Sequence, residues 1–267
     1  MHQVDILFPY YNERITMKTE KNELLHTLLD FGEAMLRSGA EIYRVENTMS
    51  HLAKAYGATE ISIFVITSSI IATIRLPDGQ EATQSRRILN ASGTNLGTLE
   101  KLNALSRKCC KTPIPLHRLR KEIEDAKSSV SLPIFLIGSI LAAASMCIFF
   151  GGTAWDAVAA AVFALLICLL QKKLAPLCPN NIVFNLLCSF IAGVAICASA
   201  RLIPVLHTDK IIIGDIMLLI PGFVMTNSLR DMLVGDTISG IMRFTESLLW
   251  AIGLASGFML AIWLIGG

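Results

Sequence analysis

Five stretches in the second half of this chain are long and apolar enough to cross a bilayer, and no other feature of the sequence constrains the fold as strongly. A helix rises about 1.5 Å per residue, so roughly 20 apolar residues cover a hydrocarbon core about 30 Å thick. Residues 132–150 carry no charge, residues 153–170 carry only Asp156 near one end, and residues 182–200 carry none. Residues 211–229 contain Asp215, and residues 247–267 are uncharged. Between the first two stretches, Gly151-Gly152 predicts a tight antiparallel hairpin.

The charges tell the same story from the other side. Of the 44 acidic and basic residues, 32 lie in positions 1–130 and only 12 in the remainder. The sequence therefore predicts a membrane α-helical protein of five transmembrane helices, residues 131–267, preceded by a cytoplasmic α+β domain, residues 1–130. Acids and bases nearly balance in both parts and the net charge is +2, which argues against a nucleic-acid partner. The first 14 residues have neither a basic leader nor an apolar run, so no cleavable signal is expected and the head stays in the cytoplasm.

Lys and Arg close to the spans set the orientation. With the head inside, Arg118, Arg120, Lys121, Lys127, Lys172, Lys173, Arg230 and Arg243 lie on the cytoplasmic side, against Arg201 and Lys210 outside. The expected location is a bacterial inner (plasma) membrane, multi-pass, with a cytoplasmic N-terminus and a C-terminus outside. Ser189, Gly193 and Cys197 in the third span, and Gly253 and Gly257 in the fifth, have the small-residue spacing that lets helices approach closely in lipid.

The fourth stretch is the informative one. Pro221-Gly222 falls near its middle, where proline removes a backbone donor and clashes with the preceding turn, so the helix should kink or break. Such a break must face protein or a water-filled cavity, and transporters bind charged substrates at half-helix ends. Polar residues gather around it: Asp215 before it, Thr226, Asn227, Arg230 and Asp231 after it, then Asp236, Arg243 and Glu246. One charge at the centre of a spanning helix costs about 2.5 to 3.5 kcal/mol, so a charge kept at depth points to function. By position, Asp215, Asn227 and Glu246 are expected inside, and Arg230, Asp231, Asp236 and Arg243 at the interface. Arg243 and Glu246, three apart, can pair.

In the head, Leu24, Leu25, Leu28, Phe31, Met35 and Leu36 recur at helical spacing over residues 20–37, and Ser38-Gly39 supplies a C-cap. A second helix is expected over residues 40–56, with Ile42, Val45, Met49, Leu52, Ala53 and Tyr56 on one face and Gly57 closing it. Glu46 sits at the edge of that face and needs a partner such as Arg44 or Arg37. Residues 61–67, 69–76 and 81–85 read as a small sheet with a turn at Pro77-Asp78-Gly79, followed by helices over 96–107 and 116–128. No nucleophile elbow, phosphate-binding loop, H-E-x-x-H or dinucleotide fingerprint is present, so no catalytic residue is assigned and no cofactor is expected. Cys147, Cys168, Cys188 and Cys197 read as small packing residues, the vicinal Cys109-Cys110 as reduced thiols. The five histidines lack ligand spacing, so no metal is expected.

Two motifs carry a resemblance. The run Gly39-Ala40-Glu41-Ile42-Tyr43-Arg44-Val45-Glu46-Asn47-Thr48-Met49 is one; Pro221-Gly222 with Asn227, Arg230-Asp231, Gly235-Asp236, Ser239-Gly240 and Arg243 is the other. Together they closely resemble the N-terminal part of the bacterial threonine/serine exporter family, over nearly the whole chain. Full-length members join a similar half to a second hydrophobic half of about five more spans. The resemblance therefore implies a split form, whose partner is a small membrane protein supplying that second half, and split pairs of this kind are also associated with succinate export.

The expected function is a subunit of a secondary exporter, with threonine or serine first and a small dicarboxylate second, and with association of several copies open. Its substrate or ion pathway would use Asp215, Pro221, Gly222, Asn227, Arg230, Asp231, Asp236, Arg243 and Glu246. The head motif comprises Gly39, Glu41, Tyr43, Arg44 and Glu46. Asn227 and Arg230 would bind a carboxylate, and Asp215 or Glu246 a proton or an ammonium group. The rivals are a membrane-anchored hydrolase acting through Tyr43, Arg44 or Glu46, and a ligand sensor that transports nothing.

Overall fold

The computed structural model describes the backbone of residues 7–88, 94–127 and 131–266, and the side chains of these from residue 22 to 265. The chain forms two compact units. One holds the head together with Thr226–Arg243; the other holds residues 131–225 and those from Phe244 onward. The expected head boundary at residue 130 lies outside the described residues.

In the first unit, α1 spans Leu7–Arg37 and α2 Ile42–Ala55. Three strands follow, β1 Glu60–Ile66, β2 Ser69–Arg75 and β3 Glu81–Arg87, then α3 Leu96–Lys111 and α4 Leu116–Ala126. The strands form an antiparallel meander in the order β1-β2-β3, with Phe64 opposite Ile71 and Ile71 opposite Ser85. Every apolar position expected on α1 is buried, as are Ile42, Val45, Met49, Leu52 and Ala53 of α2, with Tyr56 partly covered. They pack with Val65, Ile70, Ala72 and Ile74 of the sheet and with Leu102, Leu119 and Ile123. Each fully buried Leu, Ile or Phe contributes about 1.5 to 3 kcal/mol, so this shared layer fixes the head.

Glycine closes the helices as the sequence suggests. Gly39 adopts φ 88°, its N–H donating to Leu36 O at 3.0 Å while the Ala40 N–H reaches Met35 O at 3.1 Å. This pair of hydrogen bonds is the Schellman closure, which needs a left-handed residue, a conformation glycine adopts without Cβ strain. The same pair of bonds ends α2 at Gly57. Tyr56 Oη donates to Ile114 O at 2.8 Å, and burial pushes its pKa up to about 12. Burial also raises the thiols of Cys109 and Cys110, which keeps the reactive thiolate scarce at neutral pH.

The second unit contains α5 Leu132–Phe149, α6 Ala154–Lys173, α7 Asn181–Leu202 and α8 Thr208–Ile216. Helix α9, Gly222–Val234, and helix α10, Thr237–Ala261, are each divided between the two units. Among the described residues, four helices are long and apolar enough to cross a membrane: Leu132–Phe149, Ala154–Leu177, Asn181–Leu202 and Thr237–Ile265. The fourth expected span is not among them. In its place stand the short helices α8 and α9, separated by residues 217–221, so the break is wider than the Pro221-Gly222 pair that signals it.

Small residues seat α10 on α7. A Cβ at Gly193 would lie 2.7 Å from Ala261 Cβ, one at Gly253 would lie 2.9 Å from Ile182 O, and one at Gly257 would collide with Ser189 Oγ and Leu186 O. Within the chain, this close approach occupies the stripe that the sequence marked for helix packing. On α5, by contrast, Ile134, Phe135, Ile137, Leu141 and Phe149 are exposed, as lipid contact requires.

Candidate functional site

The two motifs noted in the sequence meet in the first unit. The Schellman turn at Gly39 leads through Ala40 and Glu41 into α2, whose Glu41 N-cap makes no side-chain capping bond. The first N–H groups of a helix lack internal partners and carry the positive end of its dipole. Asp231, on α9, supplies a carboxylate there: its Oδ1 accepts the Ile42 N–H at 3.4 Å. Asn227 Nδ2 donates to Gly39 O at 3.3 Å, and Arg230 Nη1 lies 2.8 Å from Glu41 Oε1. From α10, Arg243 Nη1 donates to Ala40 O at 3.2 Å and to Asp231 Oδ2 at 3.2 Å. Four side chains thus grip four consecutive residues, 39–42.

The α9–α10 hairpin that presents them is itself closely built. Gly235, at φ 111°, repeats the Schellman closure, with Asp236 N–H on Asp231 O at 2.9 Å. A Cβ at Gly240 would meet Ser228 O at 2.8 Å, so the two helices touch at that glycine. Ser228, Asp231, Ser239 and Arg243 are buried, while Arg230 is exposed.

Glu46 finds a partner other than the expected arginines. Its Oε1 accepts the Val65 N–H at 2.8 Å. Among the described residues β1 pairs only with β2, so its outer edge offers backbone donors that must be satisfied, and Glu46 covers one. Burial raises the Glu46 carboxyl above its ordinary value of 4.5; the Val65 N–H opposes the rise and the Asp236 charge adds to it. Arg37 pairs instead with Glu33 at 2.9 Å. Tyr43 and Arg44 face outward on the exposed side of α2.

In the second unit, Asp215 lies in the last turn of α8, fully buried, and neither carboxylate oxygen has a hydrogen-bond partner among the described residues. Pro221 is buried and Gly222 exposed at the start of α9. Glu246 is exposed on the protein surface: the buried stripe of α10 runs through Arg243, Ser247, Trp250, Leu254, Phe258 and Ala261, and position 246 falls off it.

The family model named ThrE, which describes threonine/serine exporters, matches residues 26–265. The chain belongs to the threonine/serine exporter family. The threonine/serine exporter of Corynebacterium glutamicum is 24% identical over 249 residues, which cover 86% of this chain and 49% of that protein. This chain therefore spans about half the length of that relative. No solved structure matches it.

Both halves of the clasp, 39–42 and 227–243, fall inside the region shared with the exporter family. One well-built polar group was visible in the sequence only as a charge near a span end. Asp156 is fully buried and forms a capping box with Thr153, while its Oδ1 accepts the His207 N–H at 2.7 Å and its Oδ2 lies 3.0 Å from His207 Nδ1. It ties the α5–α6 turn to the residue that opens α8. The Thr-x-x-Asp spacing of 153 and 156 is the signal that could have found it.

Proposed function

We propose that this exporter-family chain is one subunit of a secondary exporter of small hydrophilic metabolites, with threonine or serine as the first substrate and a small dicarboxylate such as succinate as the alternative. The observation that carries the reading is the divided helix α8–α9, with buried Asp215 one residue before α8 ends. Transporters place half-helix ends where a charged substrate must exchange its water for fixed dipoles. On this reading the α8–α9 pair is a fifth, interrupted crossing, the head is cytoplasmic and the C-terminus lies outside.

Pro221, Gly222 and Glu246 then line the route, and Asp215 stands beside it, enclosed in the last turn of α8. Asn227, Arg230, Asp231 and Arg243, whose hydrogen bonds are spent on residues 39–42, hold the head motif in place, and Asp236 acts on Glu46 through its charge. On this reading the remainder of the pathway comes from a small membrane protein, the partner that the resemblance to split exporters implies.

The test is efflux from cells loaded with a threonine-containing dipeptide. Deleting this gene together with its partner should slow threonine appearance outside, and unchanged efflux of both threonine and succinate would defeat the proposal. Maleimide labelling of the exposed Cys110 only after the cells are permeabilised would support the orientation.

A further inference from the structure

Three acids are buried among the described residues: Asp156, Asp215 and Asp231. Two are fully answered. Asp156 takes bonds from Thr153 and His207, and Asp231 from Ile42 and Arg243. Asp215 takes none.

A negative charge on Asp215 would go uncompensated where it stands. Burying an unpaired carboxylate is among the costliest things a fold can do, and the carbonyl end of α8, one residue away, adds a further unfavourable dipole. The surroundings also limit what the group can bind. A Cβ at neighbouring Gly214 would lie 2.7 Å from Ala143 O and 2.9 Å from Cys147 Cβ, so α8 is pressed onto α5 at this level. No group of three His, Cys, Asp or Glu among the described residues could hold a metal ion, and an enclosed side chain leaves no path for a substrate ammonium. A proton is the cargo that fits.

The ionisable neighbours are few. Cys147 faces this region from α5, near Asp156 of α6, while Asp209 and Lys210 belong to α8 itself. None of them hydrogen-bonds Asp215. The break supplies the missing access: the helix ends at Ile216 and the chain continues through non-helical residues 217–221, so a local change there can open Asp215 to water without moving a whole span.

We infer that Asp215 is the proton-carrying group of the export cycle, an inference that rests on the exporter reading above. Its carboxylate gains a proton, forming one O–H bond, when open to the outer side, and that bond breaks when the proton leaves to the cytoplasm. Substrate moves the opposite way, so no other reactant is consumed.

The experiment uses the native strain carrying chromosomal Asp215→Asn or Asp215→Glu, with threonine as the probe and immunoblotting for membrane abundance. Net efflux from dipeptide-loaded cells requires the proton to come and go; exchange of external radiolabelled threonine for internal threonine does not. Asp215→Asn should lose net efflux and keep exchange, and Asp215→Glu should keep net efflux with a shifted dependence on external pH. Wild-type net efflux in Asp215→Asn, or equal loss of net efflux and exchange with normal abundance, overturns the inference while leaving the exporter reading intact. If Asp215→Asn is missing from the membrane, Asp215→Glu decides, and an unshifted pH dependence overturns the inference. Absence of threonine and succinate efflux from the parent strain defeats the exporter reading and this inference with it.

Discussion

Arg243 and Asp231, one on α10 and one on α9, lie 3.2 Å apart with both side chains buried, and each also holds the backbone of the head motif, at Ala40 O and the Ile42 N–H. Removing one partner of a buried ion pair leaves the other uncompensated, which costs about 3 to 5 kcal/mol. Arg243→Ala and Asp231→Ala should each lower the melting temperature in detergent sharply and expose the segment around Gly39 to protease. A double Arg243→Met, Asp231→Leu variant should recover part of the loss, because no bare charge remains.

Arg230 offers the contrast. It lies 2.8 Å from Glu41, but its side chain is 65% exposed, and exposed pairs contribute only about 0 to 1 kcal/mol. Arg230→Ala should therefore melt within a degree or two of the parent, by about the shift that 0.5 kcal/mol produces. If efflux falls much further than stability does, the Glu41–Arg230 contact serves the transport cycle rather than the fold.

Glu46 gives the head a pH dependence of predictable sign. Its carboxyl is raised above 4.5 by burial, so the folded head takes up a proton there more readily than the unfolded chain. The favourable contribution is complete below about pH 4.5 and is lost as the pH rises through the raised value. Glu46→Gln keeps an oxygen for the Val65 N–H and cannot ionise. It should match the parent in acid and become the more stable of the two towards neutral pH, as thermal melts across that range would show.

The α7–α10 contact should tolerate no added volume. At Gly257 a Cβ meets backbone as well as side-chain atoms, and backbone cannot yield, so Gly257→Ala should exceed the usual overpacking penalty of about 1 to 3 kcal/mol and reduce the amount of folded protein in the membrane. Gly138, on α5, has nothing within 4 Å of the same position. There alanine should gain up to about 1 kcal/mol from helix propensity.

Much of this was legible in the sequence, and the physical reason is consistent. The head helices follow from Leu24, Leu28, Phe31 and Met35, because burial on one helical face is a local, periodic property. The closures at Gly39 and Gly57 follow from the left-handed turn that only glycine makes cheaply, and the interruption near Pro221 follows from proline's missing N–H. What stayed hidden depends on partners distant in the chain. Glu46 was expected to meet an arginine and meets the Val65 N–H, since a strand edge has no side-chain signature. The buried stripe of α10, from Arg243 through Trp250 to Ala261, passes Glu246 by, and a charge's position near a span gives no sign of that. The bonds from Asn227 to Gly39 O and from Arg230 to Glu41 had no signal in the sequence, because the partners lie 188 and 189 positions away.

The clasp also says how this family can vary. Glu41 and Arg230 are 189 positions apart yet meet through their side chains, so a substitution in either changes the selective value of the other. Across many relatives, positions 41 and 230 should exchange their signs together, and recombination that joins the first stretch of one lineage to the second of another should yield chimaeras that fail unless both stretches are inherited from a single parent.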